Sequence, residues 1–503
     1  MVWFVFHAIY LAAVLGMAGF GLHSGWLLWR GARRRRAAGA DAADEAPPAG
    51  ADAPRVTVQL PIFNERFVAE RIIRAAAALD WPRERLQIQV LDDSTDDTVV
   101  LTAALVDELA AGGLDIEHRA RAHRTGYKAG ALAAALPAAT GEFIAIFDAD
   151  FAPAPDWLRR TLGGGRAFAD PRTGFVQTRW TYLNRERSLL TRAQAMMHDV
   201  HFLVEQPVRR AEGLWFNFNG SGGLWRRVCI EDAGGWQADT LTEDLDLSYR
   251  AALRGWRGEY LAGVEAPNEL PERLLAFKRQ QARWARGSIQ TARKLLGPVW
   301  RGEGGGARKF FAAVHLCGYG MHPLLCTFMI LGPVIAAGSA RGLAVPFWTQ
   351  LLAPSCLGFL LGFPIVQRWR GRDWRRIGPE LALTLVVGVG VSVSNTLAVG
   401  RGLFLRASGE FVRTPKSGEG RPAARYRLKI DGAVFWELAM AVWLGAWALA
   451  LWRGGARWWC LSTAVYAICY LHFVLRQALE LWADRKAVPG AEASAPLGVP
   501  NAG

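Results

Sequence analysis

Three groups of residues in this 503-residue chain have the types and spacings needed to handle a sugar joined to a diphosphate. Read on a helix, Gln280-Gln281-Ala282-Arg283-Trp284 sets Gln280, Arg283, Trp284 and Gly287 at i, i+3, i+4 and i+7. An amide, a guanidinium, an indole and a gap then share one face, which can grip a diphosphate and a sugar together. Asp148-Ala149-Asp150 ends the apolar run Phe143 to Phe147 and precedes Phe151-Ala152-Pro153. At that spacing one or both carboxylates can reach a hard divalent cation, Mg2+ or Mn2+, that also ligates a diphosphate. A solvated strand end is the plainer alternative. Thr242-Glu243-Asp244 opens an expected helix, Asp244 to Arg254, where Thr242 would cap and the acids would suit the positive end. The chemical reading makes Asp244 the base that takes a proton from an acceptor hydroxyl as it attacks the anomeric carbon. An inverting displacement needs such a base and no covalent intermediate.

Arg124-Thr125-Gly126-Tyr127-Lys128-Ala129-Gly130 puts two cations around a flexible turn before an Ala-rich helix. That arrangement suits phosphate contact through both side chains and the helix N-terminus, with a solvated basic turn as the alternative. His198 and His201, with Glu205 beyond, lie at i, i+3 spacing in a helical stretch (186–210) and mimic metal ligands. No second His or Cys cluster joins them, so a separate zinc site is not expected. Trp180, Trp215, Trp225 and Trp284 are candidates for stacking on sugar faces, while most of the 22 tryptophans are expected in cores or at a membrane interface.

These residues need elements to carry them. Short β-branched runs alternate with helical ones: Val56 to Leu60 then 67–79, Gln87 to Leu91 then 96–111, Phe143 to Phe147 then 155–168. This is the rhythm of a mostly parallel sheet, whose ligands bind beyond the carboxyl ends of the strands. Leu60 to Glu65, Asp92 to Asp96 and Asp148 to Asp150 all sit at such ends.

A hydrophobic content of 51% is too high for two ordinary soluble domains. The formal charge of +14 would suit nucleic acid, but Lys and Arg cluster beside apolar runs, which is the pattern of cytoplasmic loops at a bilayer. Nucleic acid is therefore not an expected partner. The six cysteines form no CxxC pair, so neither a disulfide framework nor a zinc site is indicated. Val2 to Trp29, followed by Arg30 and Arg33 to Arg36, reads as an uncleaved anchor with its N-terminus outside (1–36). A flexible linker (37–54) leads to a cytoplasmic catalytic domain (55–300), and a membrane region (301–485) precedes a disordered tail (486–503). Five apolar stretches follow residue 300: 310–338, 345–366, 378–400, 432–452 and 457–478. The flanking connectors 367–377 and 401–430 are both rich in Arg and Lys. The stretch 378–400 is therefore expected to lie at the interface or to re-enter, against the alternative of six true spans.

The chain resembles the processive family-2 glycosyltransferases, and looks closest to cellulose-synthase-like mannan and glucan synthases and their bacterial relatives. The resemblance rests on Leu91 to Asp97, Phe147 to Phe151, Val176-Gln177-Thr178-Arg179-Trp180, Phe216-Asn217-Phe218-Asn219-Gly220, Thr242 to Asp244 and Gln280 to Trp284, and covers roughly residues 55–300. It implies a GT-A (Rossmann-like) α/β domain joined to an all-α multi-span region in a bacterial-type inner membrane. Asp92 and Asp93 would hold the nucleoside, Lys128 and Asp148 the diphosphate, and Asp148 with Asp150 the metal. Gln280 and Arg283 would line the donor site, and Trp284 and Glu243 would meet the acceptor. Phe411, Thr414 and Lys416 match the gating-loop motif FxVTxK within 401–431, with Arg413 where Val is usual. No PilZ-like domain follows, so cyclic-di-GMP control is not implied. The expected reaction moves a hexose from UDP-glucose or GDP-mannose to a growing β-linked glycan, with extrusion. Membrane lipids and accessory envelope subunits are the other expected partners. Glucosylation of a lipid is the alternative, and an inactive channel or scaffold subunit the remote one.

Overall fold

The computed structural model describes residues 2–38, 53–163, 166–340, 342, 358–405, 418 and 431–486. Phe411, Thr414, Lys416 and most of the linker and tail lie outside them. Helix α1 (Val2–Ala38) leads through the linker to β1 (Val56–Ile62), α2 (Ala69–Ala77), β2 (Leu86–Asp92), α3 (Thr98–Ala111), β3 (Asp115–Ala120), α4 (Tyr127–Ala135), β4 (Phe143–Ile146) and α5 (Trp157–Leu162). Then come β5 (Thr173–Tyr182), α6 (Leu189–Val200), α7 (Gln206–Ala211), β6 (Gly223–Arg226), α8 (Arg227–Asp232), α9 (Glu243–Leu253) and β7 (Arg257–Asn268). The sheet order is β3-β2-β1-β4-β6-β5-β7. β6 runs antiparallel to both of its neighbours, and every other pairing is parallel. The strand order reverses between β1 and β4, and the acidic turns project from the carboxyl ends on both sides of that switch point.

The first strands form as their pattern dictates. Val56, Val58, Leu60 and Ile62 are all buried on one face and pack on Ile72 and Ile73 of α2. On the other face buried polar groups are matched across strands: Thr57 Oγ1 donates to Gln87 Oε1 at 2.8 Å, and Gln59 Nε2 to Gln89 Oε1 at 2.9 Å. Buried amides without partners would cost about 1–3 kcal/mol each. The helix expected over 155–168 ends at Leu162, with Gly163 as its cap.

Beyond the sheet, α10 (Leu274–Arg301) and α11 (Gly306–Leu316) lead to α12 (Met321–Ala340), α13 (Gly358–Trp369), α14 (Gly378–Phe404), α15 (Ala433–Arg453) and α16 (Arg457–Lys486). Among the described residues, five helices are long and apolar enough to cross a membrane: those at Val2–Arg36, Gly318–Ser339, Gly378–Phe404, Ala433–Arg453 and Arg457–Asp484. The expected 310–338 segment is broken at Cys317 to Gly320 into α11 and α12.

Re-entry of 378–400 is not seen, because α14 is a single unbroken helix of 27 residues. Its glycine Gly390 serves contact and makes no turn: a Cβ there would lie 2.3 Å from the ring of Phe473. α14 lies along α10, with Val387 and Val391 against Leu274 and Phe277, and Ala398 and Val399 against Ala285 and Ile289. At one end Glu380 pairs with Arg192 of α6 at 3.3 Å, and at the other Arg293 of α10 donates to Leu403 O at 3.0 Å.

Candidate active site

The sheet's carboxyl edge, the start of α9 and one face of α10 enclose a cavity of about 660 Å3. Gln280, Arg283 and Trp284 line it as a helical face should. Gly287 is the gap on that face: a Cβ there would stand 2.6 Å from Thr242 Cγ2 and 2.9 Å from Thr242 N. The missing side chain lets α10 close on the N-terminus of α9, which brings Arg283 to Glu243 and Asp244. Thr242 does not cap α9; its hydroxyl pairs with Thr291 Oγ1 at 3.2 Å.

Lys128, in the first turn of α4, is the hub of the charges. Its Nζ lies 2.5 Å from Asp148 Oδ1, 2.9 Å from Gly220 O and 3.8 Å from Glu243 Oε1. Burial pulls the ammonium down, but Asp148 and Glu243 outweigh it and leave Lys128 above its ordinary value. Asp148 is deep in the molecule yet open to the cavity, its side chain 38% exposed. Burial raises its carboxyl, Lys128 opposes that, and the neighbouring charge of Asp150 adds to the rise. Asp244 is pushed up to about 7, first by burial and then by Glu243, against the pull of the Leu245 N–H, Lys128 and Arg283. Gly220, at φ 82°, passes so near that a Cβ would sit 3.0 Å from Asp244 Oδ2. A side chain there would be strained and would press on the carboxylate.

In this group four carboxylates (Asp148, Asp150, Glu243, Asp244) face two cations (Lys128, Arg283). The surplus is negative, and two of the acids are raised for that reason as well as by burial. A divalent cation with oxygen ligands on Asp148 and Asp150 would relieve it, so this donor set fits Mg2+ or Mn2+.

Asp93 also lines the cavity and is held by Arg121 at 2.8 and 2.5 Å. Asp92 does not share that position, contrary to its expected place beside the nucleoside. Its carboxylate faces inward and accepts from Ser94 N at 2.9 Å and Thr102 Oγ1 at 2.6 Å, with His118 Nε2 at 3.0 Å. Alternation along β2 explains the divergence, since successive side chains point to opposite faces. Trp180 lines the cavity and donates to Ser221 O at 3.0 Å. Trp225 is fully buried in the sheet core and Trp215 packs on Tyr249, so neither meets the cavity.

Sequence reasoning missed two parts of the wall. One is α1: Phe20, His23, Ser24 and Leu27 line the cavity, and Arg30 grips Glu212 of the sheet domain at 2.6 Å. The other is the run from His198 to Arg209. His198 Nδ1 lies 2.8 Å from Tyr182 Oη, and His201 Nδ1 2.9 Å from Glu205 Oε2. The arginines after Trp29 carry a signal for α1 beyond topology, since Arg30 and Arg34 both pair with Glu212. Gly418, the one described residue between Leu405 and Asp431, is buried, and its N–H donates to the cavity residue Glu269 at 3.3 Å.

Comparison with known proteins agrees with this geometry. A family model described as "Glycosyltransferase like family 2" matches residues 54–287. The chain is 44% identical over 254 residues to glucomannan 4-beta-mannosyltransferase 2 of Arabidopsis thaliana, covering 50% of this chain and 47% of that one. It is 42% identical over 265 residues to glucomannan 4-beta-mannosyltransferase 1 of Oryza sativa subsp. japonica, covering 52% and 50%. It thus spans about half the length of the curated relatives it matches. Among solved structures, the mannosyltransferase PcManGT from Pyrobaculum calidifontis, in complex with GDP-Man and Mn2+, matches with a TM-score of 0.51 at 23% identity, over 79% of this chain and 99% of that one. At that identity the likeness speaks for the GT-A fold. Fold, motifs and family model meet in one conclusion: residues 54–287 form a family-2 glycosyltransferase domain.

Proposed function

We propose that this chain is a membrane-embedded, inverting hexosyltransferase that moves mannose from GDP-mannose to a growing β-linked glycan of the mannan type. The observation that carries the reading is Asp244. Its carboxyl is raised to about 7, and it stands in one cavity with Lys128, Asp148 and the Gln280-Arg283-Trp284 face. As the acceptor hydroxyl oxygen bonds to the anomeric carbon, its proton passes to Asp244 and the bond from that carbon to the diphosphate oxygen breaks. Charge gathers on the departing diphosphate, where Lys128 and Arg283 meet it in a low-dielectric site. Mg2+ or Mn2+, held by Asp148 and Asp150, would neutralise further phosphate charge. Asp93, with Pro61, Phe63 and Arg124 around it, lines the end of the cavity suited to the nucleoside. Trp284 is placed to stack under the acceptor.

The same cavity extends to Phe20 and His23 of α1 and to Met321 and His322 of α12, helices apolar enough to cross a bilayer. This supports passage of the product toward the membrane, with the catalytic domain on the cytoplasmic side beside Arg30 and Arg33 to Arg36. The path of α14 along α10 supports an interfacial position for that helix.

The test is a donor screen on purified protein in lipid nanodiscs with Mn2+ or Mg2+. GDP-mannose, UDP-glucose, UDP-galactose and UDP-N-acetylglucosamine are compared, followed by linkage analysis. A β-linked mannose polymer from GDP-mannose is expected. A single glycolipid product would replace the polymer reading, and incorporation from UDP-glucose alone would replace the sugar.

A further inference from the structure

Past Gly287 the cavity-lining face of α10 runs on into Gln290, Thr291 and Lys294, at i+3, i+4 and i+7 from that glycine. None of the three lines the cavity. They meet instead the connector 233–242, which joins α8 to α9. Gln290 Oε1 accepts from Leu241 N at 3.0 Å, and Lys294 Nζ donates to Gln237 Oε1 at 2.6 Å and to Asp239 Oδ1 at 2.9 Å. The same ammonium pairs with Asp246 Oδ1 of α9 at 2.8 Å. An ammonium carries three donors, and three side chains surround this one.

Asp246 is fully buried, two positions past Asp244 on α9. Its other oxygen accepts from Arg250 Nε at 2.7 Å, and Arg250 also donates to Ala233 O and, at 2.8 Å, to Gly235 O. Two cations, Lys294 of α10 and Arg250 of α9, therefore share one buried carboxylate and clasp the connector at Ala233, Gly235, Gln237 and Asp239. Charge buried in this way stays only where it is paired and hydrogen-bonded, which fixes α9 against α10 at that point. The connector in turn braces the turn before α4. Gly126, at φ 73°, passes so near that a Cβ on it would stand 3.0 Å from the Cβ of Ala238, and Thr240 and Leu241 line one narrow gap with Tyr127 and Lys128. Lys294 thus reaches Asp244 through α9 and the Lys128 turn through the connector, while standing outside the cavity itself.

We propose that Lys294 is a positioning residue for the transfer: through Asp246 it sets the depth of α9, and so of Asp244, and through Gln237 and Asp239 it holds the connector behind the Lys128 turn. The inference rests on the transfer reaction proposed above. The test compares full-length variants in nanodiscs with GDP-mannose and Mn2+, with kcat expressed per site counted by calorimetric GDP binding. Lys294→Met should lower kcat about ten- to a hundredfold, since a catalytic group displaced by about 1 Å can cost about a hundredfold. The KM for GDP-mannose should change less than about threefold, because a base acts only as the reaction proceeds and Lys128 stays tied to Asp148 and Gly220. Arg250 still neutralises Asp246, so the melting temperature and the number of GDP sites should hold. Lys294→Arg, which keeps a cation between Asp239 and Asp246, should recover most of the loss. If Lys294→Met does not fold, Gln237→Ala with Asp239→Ala frees the connector end of the clasp and should lower kcat about three- to tenfold, the worth of one hydrogen bond. A loss confined to the number of GDP sites, or a GDP-mannose KM that rises as far as kcat falls, would mark a general structural role and overturn the proposal. A wild type that transfers no mannose overturns both readings; one that transfers it while Lys294→Met, or the connector pair in its place, keeps its kcat overturns this one alone.

Discussion

Lys128 and Lys278 are both set among carboxylates and shielded from solvent, and they could hardly be used more differently. Lys128, in the cavity wall, meets Asp148 at 2.5 Å and Glu243 at 3.8 Å, and its acids exceed its cations. Lys278, on α10, meets Glu437 at 2.6 Å and Asp431 at 2.8 Å, with Gln477 Oε1 at 3.1 Å. Glu437 is fully buried, and its second oxygen accepts from Gln477 at 2.8 Å. In the Lys278 cluster the ammonium and the Glu437 carboxylate are shut in by protein partners, with Asp431 at the exposed rim, and the group ties α10 to α15 and α16. The Lys128 cluster leaves oxygens facing open space. Closed charge positions a helix, and open charge waits for a ligand.

The sharpest way to break that contrast is Asp244→Asn. It should cut sugar incorporation by about 10^3- to 10^4-fold, the scale of a lost general base, while the melting temperature holds or rises. A residual rate above a tenth of wild type would remove Asp244 from its role. The next test strikes the closed cluster. Lys278→Met should cost about 3–5 kcal/mol of stability by stranding the charge of Glu437, and Lys278→Met with Glu437→Met should regain most of it, read by thermal melts in detergent. An equally unstable double variant would mean that packing, and not charge closure, holds α10 there. The smallest effect is on pH. As the proposed base Asp244 would have to be ionised, and its carboxyl is raised to about 7, so kcat/KM should climb through pH 7 and fall about tenfold per unit below it. Bound divalent cation should move that midpoint down, and a flat profile from pH 5.5 to 8.5 would argue against Asp244 as the group that titrates.

The parts of this architecture that are local were legible in the sequence. Val56 to Leu60 and Gln87 to Leu91 announce β1 and β2 by alternating apolar residues with Thr or Gln, and Phe143 to Phe147 announces β4 as the continuous apolar run of a buried strand. β3, with the sequence Asp115-Ile116-Glu117-His118-Arg119-Ala120, lies at the sheet edge and is too polar to declare itself. The antiparallel β6, four residues long, depends on partners 50 to 80 residues away and gives no local sign. The Gln280, Arg283 and Trp284 face and the Lys128, Asp148 and Asp244 gathering were legible, since helical spacing and strand ends fix where such side chains point. Asp92 and Asp93 look equivalent in sequence, but the two-residue period of β2 separates them. The wall formed by α1 and by His201 to Arg209 was not legible, because those contacts join elements nearly two hundred residues apart.

The contribution of α1 to that wall has a consequence in time. Tyr10 stacks on Phe328 at 5.7 Å, and Gly16 lies under Leu324, where a Cβ would come within 2.7 Å. These partners are translated roughly 300 residues later, which at about 5–20 residues per second is a delay of some 15–60 s. Throughout that interval the first helix must persist in the bilayer with its small-residue groove uncovered and His23 without Arg209 for most of the wait. The cavity is sealed by the end of synthesis and not by its beginning, so a ribosome that stalls before α12 leaves a helix with an open seam and a vessel with one side missing.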